Sequence, residues 1–425
     1  MVLISGQSAA EIADSVRGLV RRGDLTAGSA LPPIRALAAD LAVNRNTVAS
    51  AYALLATAGV VDSRRRAGTI VLGIPQTGGE GASGGTAVNL ASGNPDPALL
   101  PDWSGAFNGY APVLYGADPM DERLRDWALR TMPEGPSAGA VSVAGGAVDA
   151  VERLLAVHLI RGDAVAVEDP GFFLSVGTLR VGGYRTTGMT VDAEGVTPGA
   201  LRAALASGVR AVIITSRAQN PTGASVTDSR AVRLRAELAA YPDVLVIEDD
   251  HFSALAESPY QQVIAPETTR WAIVRSVSKF LGPDLRLAVL RTDTDTAARL
   301  AARLGRPSWV SHLLQHVAAE LLTTPATEND LHQAATVYTE RRRQLTEALA
   351  THRIPVFPAT DGLNIWIPVP HNPDQIVKDL ATSGWAIRSG SAFGTNSPAA
   401  VRVTISTLTP TQATDFATTL STVLS

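Results

Sequence analysis

The sequence predicts an α/β protein in two parts: a small helical front segment ending in a β-ribbon, and a large body built on a largely parallel sheet. Three observations lead there. Apolar, β-branched runs alternate with helical patterns along the body: "VSV" at Val141, "AVAVE" at Ala164, "AVIIT" at Ala211, "VLVIE" at Val244 and "WAIVRS" at Trp271. Runs of this kind suit strands buried on both faces, as in a parallel sheet covered by helices. Between Gly73 and Asn89, "GIPQTGGEGASGGTAVN" holds too few large apolar groups to bury and reads as a linker. Ahead of it stand three helical patterns and a pair of short strands.

A chain of 425 residues exceeds what one core usually fills, so several domains are expected. The expected bounds are a front domain over 1–73, a linker over 74–88 and a body over 89–425. From about Ala326 a long charged helical pattern gives way to mixed strands and helices, which predicts a smaller α+β C-terminal lobe. Cysteine is absent, which excludes disulfides, thiolate metal sites and cysteine nucleophiles, and no metal is expected. No apolar run approaches the length of a bilayer span and the first residues lack the layout of a signal peptide, so a cytoplasmic protein without membrane partners is expected. The net charge of −4 conceals an asymmetry: residues 1–73 carry eight arginines against five acids. A basic front precedes an acidic body.

The front opens with "AAEIADSVRGLVRRG", which sets Ile12, Val16 and Leu19 at helical spacing and stops at Gly23. "LPPIRALAADLAVNRNTVASAYALLATAGVV" then predicts a short helix from about Pro33 to Leu41, a tight turn, and a second helix capped by Asn44. "VVDS" and "GTIVL", joined by "RRRA", predict a hairpin. Three helices followed by a β-ribbon with a basic tip is the layout of a winged helix-turn-helix, which places one helix in the major groove of duplex DNA and its wing along the backbone or minor groove. Arg35, Arg45, Arg64, Arg65 and Arg66 are then expected on phosphates, and Asn44, Asn46 and Thr47 at base edges. The helices alone would also fit an oligomerisation module with solvated arginines; the hairpin favours the DNA reader.

In the body, residue choice points to a site. Of 36 basic residues only Lys279 and Lys378 are lysine. Arginine stays protonated at any accessible pH, whereas a desolvated lysine can lose its proton and attack an aldehyde to form a Schiff base. Lys378 lies in the amphipathic pattern "DQIVKDL" and reads as a surface charge; Lys279 follows a buried run, with Ser276, Ser278 and Arg286 offering hydroxyls and a forked cation nearby. In open α/β sheets ligands gather beyond the carboxyl ends of strands. Three such ends share one chemistry: Asn220 after "AVIITSRAQ", Asp249 in "VLVIEDDHF" and Lys279 in "WAIVRSVSK". An aspartate holds a pyridine nitrogen protonated, an asparagine bonds a ring hydroxyl and a lysine takes an aldehyde, which together suit pyridoxal phosphate. "VSVAGGAVDAVERLL" passes from strand through Gly145 and Gly146 into a helix whose first amides suit a phosphate, and Phe172 in "VEDPGFF" offers a stacking face. Each piece also has an ordinary reading as a turn, a cap or a helix start; their order and joint chemistry carry the assignment.

The front strongly resembles the winged-helix domain of the GntR family of bacterial regulators. From about Asn89 onward, "NLASGNPDPALLP", "YGADPMDERLR", "VSVAGGAVDA", "EDPGFF", "QNPTG", "IEDDHF", "SVSKFLGPDLRLAV" and "VRVTIS" resemble the fold type I, pyridoxal phosphate-dependent aminotransferases. That resemblance implies that Lys279 is the Schiff-base lysine, Asp249 the partner of the pyridinium and Asn220 the partner of the ring hydroxyl. It implies that Ser276, Ser278, Arg286, Gly146, Ala147 and Val148 form a phosphate cup, that Tyr115 is lent to the phosphate by a neighbouring subunit, and that Arg402 grips an effector or substrate carboxylate. His251 stands where relatives commonly carry a tyrosine, and Val148 where a polar side chain is common. The two halves together resemble the MocR subfamily. Its members are homodimers paired head-to-tail, in which pyridoxal phosphate, sometimes with an amino compound, alters how the heads engage operator DNA. The expected function is therefore a cofactor-responsive regulator, of vitamin B6 or amino-acid metabolism genes. A working aminotransferase with an accessory head is the alternative, and turnover is expected to be weak or partial at most.

Overall fold

In the front segment, local capping chemistry and one apolar cluster build the expected elements. The computed structural model describes residues 4–26, 28–64, 68–72, 86–304, 309–394 and 397–425. Ser8 and Glu11 form a reciprocal capping box that opens helix α1 (Ala9–Arg22), and Gly23, at φ 79°, closes it in the left-handed conformation that glycine adopts without a Cβ penalty. Helix α2 (Ile34–Asp40) follows Pro33, and α3 (Arg45–Thr57) starts where Asn44 Oδ1 accepts from Asn46 N at 2.8 Å. Strands β1 (Val61–Arg64) and β2 (Gly68–Val71) pair antiparallel, Val61 opposite Val71 and Arg64 opposite Gly68. Ile12, Val16, Leu37, Val48, Tyr52, Leu55 and Val71 are buried in one cluster, so the ribbon and the helices share a core. Tyr52 donates to Pro32 O at 2.7 Å, and burial pushes its hydroxyl up to about 12.

The body opens with strand β3 (Val88–Asn89) and helix α4 (Glu122–Thr131). Then come β4 (Gly139–Ala144), α5 (Ala147–His158), β5 (Ala164–Asp169), α6 (Phe173–Val181), β6 (Arg185–Asp192) and β7 (Gly195–Val196). The chain continues through α7 (Pro198–Ala206), β8 (Ala211–Thr215), α8 (Asp228–Leu238), β9 (Leu245–Asp249), β10 (Trp271–Ser276) and β11 (Ala288–Asp293). These strands form one eight-stranded sheet in the order β4-β11-β10-β9-β8-β5-β6-β7. The pairs β8–β9 and β9–β10 are parallel, whereas β11 runs antiparallel to both β10 and β4. The sheet is thus mixed at both edges: the short connection from β10 to β11 folds directly back instead of crossing over through a helix, and β7 pairs antiparallel with β6 at the far side. The central strands are apolar and buried along almost their full length, as their runs predicted.

Helices α9 (Thr294–Leu304), α10 (His312–Thr323) and the 27-residue α11 (Pro325–Thr351) lead to β12 (Asn364–Pro368), α12 (Pro373–Thr382), β13 (Trp385–Ala386), β14 (Arg388–Ser389), β15 (Ala400–Thr404) and α13 (Pro410–Leu424). A second sheet has the order β12-β15-β14. Strand β13 pairs in parallel with β3, so the first residues of the body join the C-terminal elements. The chain divides into two compact units, one of which takes in the front segment together with residues 159–165 and 174–186. Inside that unit Arg180 Nη2 donates to the carbonyls of Gly59 and Leu72 at 2.9 and 3.1 Å. No described helix is long and apolar enough to cross a membrane.

Candidate functional site

The carboxyl ends of β8, β9 and β10 carry Asn220, Asp249 and Lys279 into one region of the body, as polar residues that follow buried strands should be. Lys279 is half-buried and its Nζ donates to Gly93 O at 2.6 Å; Lys378, by contrast, is exposed on α12. Asp249 ends β9 with its Oδ1 buried and without a hydrogen-bond partner. Its Oδ2 lies 3.5 Å from His251 Nδ1. His251 therefore leans toward the aspartate, with its ring edge-on to Phe252. Asn220 is buried, and its Oδ1 accepts from Arg402 Nη1 at 3.2 Å.

A polar cup lies where β4 meets α5 and where the chain leaves β10. Gly146 has φ 102°, and a Cβ there would come within 3.0 Å of the Arg286 guanidinium, so glycine lets the arginine approach the backbone. Arg286 Nη2 donates to Gly145 O at 2.9 Å, while Gly145 N donates to Asp149 Oδ2 at 2.6 Å. Ala147 and Val148 follow as the first residues of α5, whose leading amides have no partner within the helix. Ser276 Oγ donates to Ser278 Oγ at 3.1 Å and accepts from Ser278 N at 3.3 Å. The loop between Lys279 and Arg286 is shaped by Trp103, whose Nε1 donates to Leu281 O at 2.8 Å; its ring leaves no room for a Cβ at Gly282.

Arg402 is fully buried on β15. Its Nη2 donates to Ala91 O at 2.6 Å, and its guanidinium lies 5.0 Å from the centre of the Phe393 ring. Phe393 O accepts from Gly171 N at 2.7 Å, next to Phe172, and Ser397 Oγ donates to Asp169 Oδ1 at 2.6 Å. Phe393 and Ser397 are thereby tied to the end of β5. Tyr115 stands elsewhere: it is 89 % exposed and packs edge-on against Trp309. In the front segment Arg35, Asn44, Arg45 and Asn46 are exposed and Thr47 is half-buried. The Asn44 carbonyl oxygen is already used as the cap of α3. Arg65 and Arg66 lie outside the described residues, as does the side chain of Arg64.

Beneath the strand ends lies a buried charge network that the linear sequence did not reveal. Glu168 accepts from Thr215 N, Thr215 Oγ1 and Gln219 Nε2; burial pushes its carboxyl up to about 7, and the charge of Asp249 adds a smaller push in the same direction. Burial likewise pushes Glu248 up to about 7, although Tyr260, Val263 N, Ile264 N and Ser216 all donate to it. Asp250, fully buried, accepts a two-pronged contact from Arg217 and a third bond from Arg275. The adjacent acids in "IEDDHF" were the available signal, but only folding shows that Asp249 faces the site while Glu248 and Asp250 face inward.

Residues 88–420 match the family "Aminotransferase class I and II", and residues 8–71 match "Bacterial regulatory proteins, gntR family". The chain is 46% identical over 413 residues, 96% of each chain, to the vitamin B6 salvage pathway transcriptional repressor PtsJ of Salmonella typhimurium. The chain belongs to the MocR family of GntR-type regulators. A more distant relative is the HTH-type pyridoxine biosynthesis transcriptional regulator PdxR of Corynebacterium glutamicum, 27% identical over 90% of this chain and 88% of that one. The body has the fold type I aminotransferase architecture. It superposes on a kynurenine aminotransferase of Pyrococcus horikoshii with a TM-score of 0.72, at 20% identity, covering 80% of this chain and 91% of that one. The α-aminoadipate aminotransferase LysN of Thermus thermophilus, solved with N-(5'-phosphopyridoxyl)-L-leucine, gives 0.70 at 21% identity, with 80% and 92% covered.

Proposed function

We propose that this MocR protein is a transcriptional regulator, acting in the cytoplasm as a head-to-tail homodimer, whose grip on operator DNA is set by pyridoxal phosphate bound in the aminotransferase-like body. The observation that carries cofactor binding is the Oδ1 of Asp249, buried at the end of β9 with no partner of its own. Buried carboxylate oxygens are costly to leave unpaired, and a protonated ring nitrogen would satisfy this one.

When bound, pyridoxal phosphate supplies an aldehyde and an electron-withdrawing ring. The chain's residues do the rest. Lys279, whose Nζ donates to the Gly93 carbonyl, would present the primary amine to that aldehyde. Asp249 would hold a proton on the ring nitrogen, with His251 Nδ1 3.5 Å from its other oxygen. Asn220 offers its amide to the ring hydroxyl while its oxygen steadies Arg402. Phe172 would offer a stacking face to the ring. Ser276, Ser278, Arg286 and the amides at Gly146, Ala147 and Val148 hold the phosphate, with Tyr115 lent by each subunit to its neighbour, which accounts for its exposure. Arg402 takes the carboxylate of an amino compound. In the head, Arg35, Arg45 and the wing arginines hold phosphates, and Asn46 and Thr47 read bases with Asn44 at the same helix start.

Regulation requires that the loaded body favour one DNA-binding arrangement over another, since equal affinity for both shifts nothing. The relatives' names point to vitamin B6 genes as targets. The test is a titration of DNA from upstream of the gene with and without pyridoxal phosphate, on the wild type and Lys279→Ala. A cofactor-dependent change in affinity that the variant loses supports the reading. Steady conversion of an amino acid and a keto acid, with DNA affinity indifferent to the cofactor, would replace it with the enzyme reading.

A further inference from the structure

We infer that Arg388 is a second anion-binding residue of the effector site, so that the amino compound recognised by Arg402 carries an acidic side chain; this rests on the proposed cofactor-binding reading. Strand β14 pairs antiparallel with β15, and Arg388 stands directly opposite Arg402. Opposed residues of an antiparallel pair project from the same face, close enough to act together. Their side chains also converge. Arg402 Nη2 and Arg388 Nε both donate to the carbonyl of Ala91, at 2.6 and 3.4 Å, so the two nitrogens are separated by at most the sum of those distances.

The shared carbonyl belongs to a built turn. Asn89 Oδ1 accepts from Ala91 N and Ser92 N, both at 3.1 Å, and Leu90 N donates to Ala386 O, which together fix the direction of the Ala91 carbonyl. Two residues further on, Gly93 O receives Lys279 Nζ. One short segment therefore gathers three cations, the amine that takes the aldehyde and two guanidinium groups beside it. Each guanidinium is a fork shaped for a carboxylate. A ligand with one carboxylate meets Arg402 alone; a dicarboxylic amino acid, anchored near Lys279 through its amine, presents a second carboxylate to Arg388.

The test titrates the protein, loaded with pyridoxal phosphate, with L-glutamate and its neutral isostere L-glutamine, reading both the absorbance of the bound cofactor and the heat of binding. The expected result is a preference of the wild type for glutamate of tenfold or more, of the order a charge-assisted bond supplies. Arg388→Gln removes that preference by weakening glutamate while glutamine binding stays within about twofold, and Arg388→Lys, which keeps the charge but loses the fork, falls between. Equal affinity of the wild type for the two amino acids, or an equal loss of both in Arg388→Gln, overturns the inference, as does a loaded protein whose cofactor responds to neither. A protein that takes up no cofactor fails at the earlier step and overturns the reading beneath.

Discussion

Asp249→Asn isolates the charge that is proposed to hold the ring nitrogen. The substitution keeps the shape of the side chain but replaces the carboxylate with a neutral amide. A hydrogen bond to a charged group contributes about 1.5–3 kcal/mol, so the loss of cofactor affinity should fall between roughly ten- and 150-fold. The same change should leave the cofactor-free protein as stable as the wild type or up to about 1 kcal/mol more stable, because a buried, unpartnered carboxylate oxygen is no longer held out of water. It should also relieve part of the push on Glu168. Absorbance titration with pyridoxal phosphate gives the affinity, and urea unfolding without cofactor gives the stability. An Asp249→Asn protein that binds the cofactor as tightly as the wild type would refute the role of this carboxylate; a large loss of stability in the cofactor-free state would show that it serves the fold instead.

Three further outcomes are expected. Arg35→Ala with Arg45→Ala should weaken operator binding across sequences and reduce the dependence of log affinity on log salt by about one for each phosphate no longer neutralised, measured by titration at several salt concentrations. Glu168 and Glu248 sit near 7 in the folded protein against 4.5 when exposed, so the folded state keeps protons that the unfolded chain releases. Their contribution is fully present below about pH 4.5 and lost as pH rises through about 7. The urea midpoint should therefore be higher at pH 5.5 than at pH 8, and Glu168→Gln should narrow that gap. Gly282→Ala places a Cβ 2.7 Å from the Trp103 ring at a φ of 121°, costing about 1–3 kcal/mol; thermal melting should register that cost, and cofactor affinity should fall because the loop carrying Lys279 must shift.

Much of the architecture was legible in the linear chain because its signals are local. The Asn44 cap, the Gly23 terminus and the alternating strands of the hairpin act within a few residues, and the buried runs of β8, β9 and β10 need only their own composition to be recognised. The candidate residues Asn220, Asp249 and Lys279 were readable for the same reason: each ends or follows the strand that delivers it. A rare lysine among many arginines singled out one of those ends as the candidate for Schiff-base chemistry.

Other features depend on residues far apart in sequence, which no local pattern encodes. The reversal at β11, the pairing of β3 with β13 and the burial of Glu168, Glu248 and Asp250 against partners 15 to 47 residues away are set by how the layers pack. Arg388 is the sharpest case. In "WAIRSG" it reads as one arginine among 34, and only the register that sets it opposite Arg402, over a carbonyl supplied from Ala91, makes it a member of the proposed effector site. Local interactions choose the elements; a side chain's neighbours across the fold are chosen by packing, and a charge takes its meaning from those neighbours.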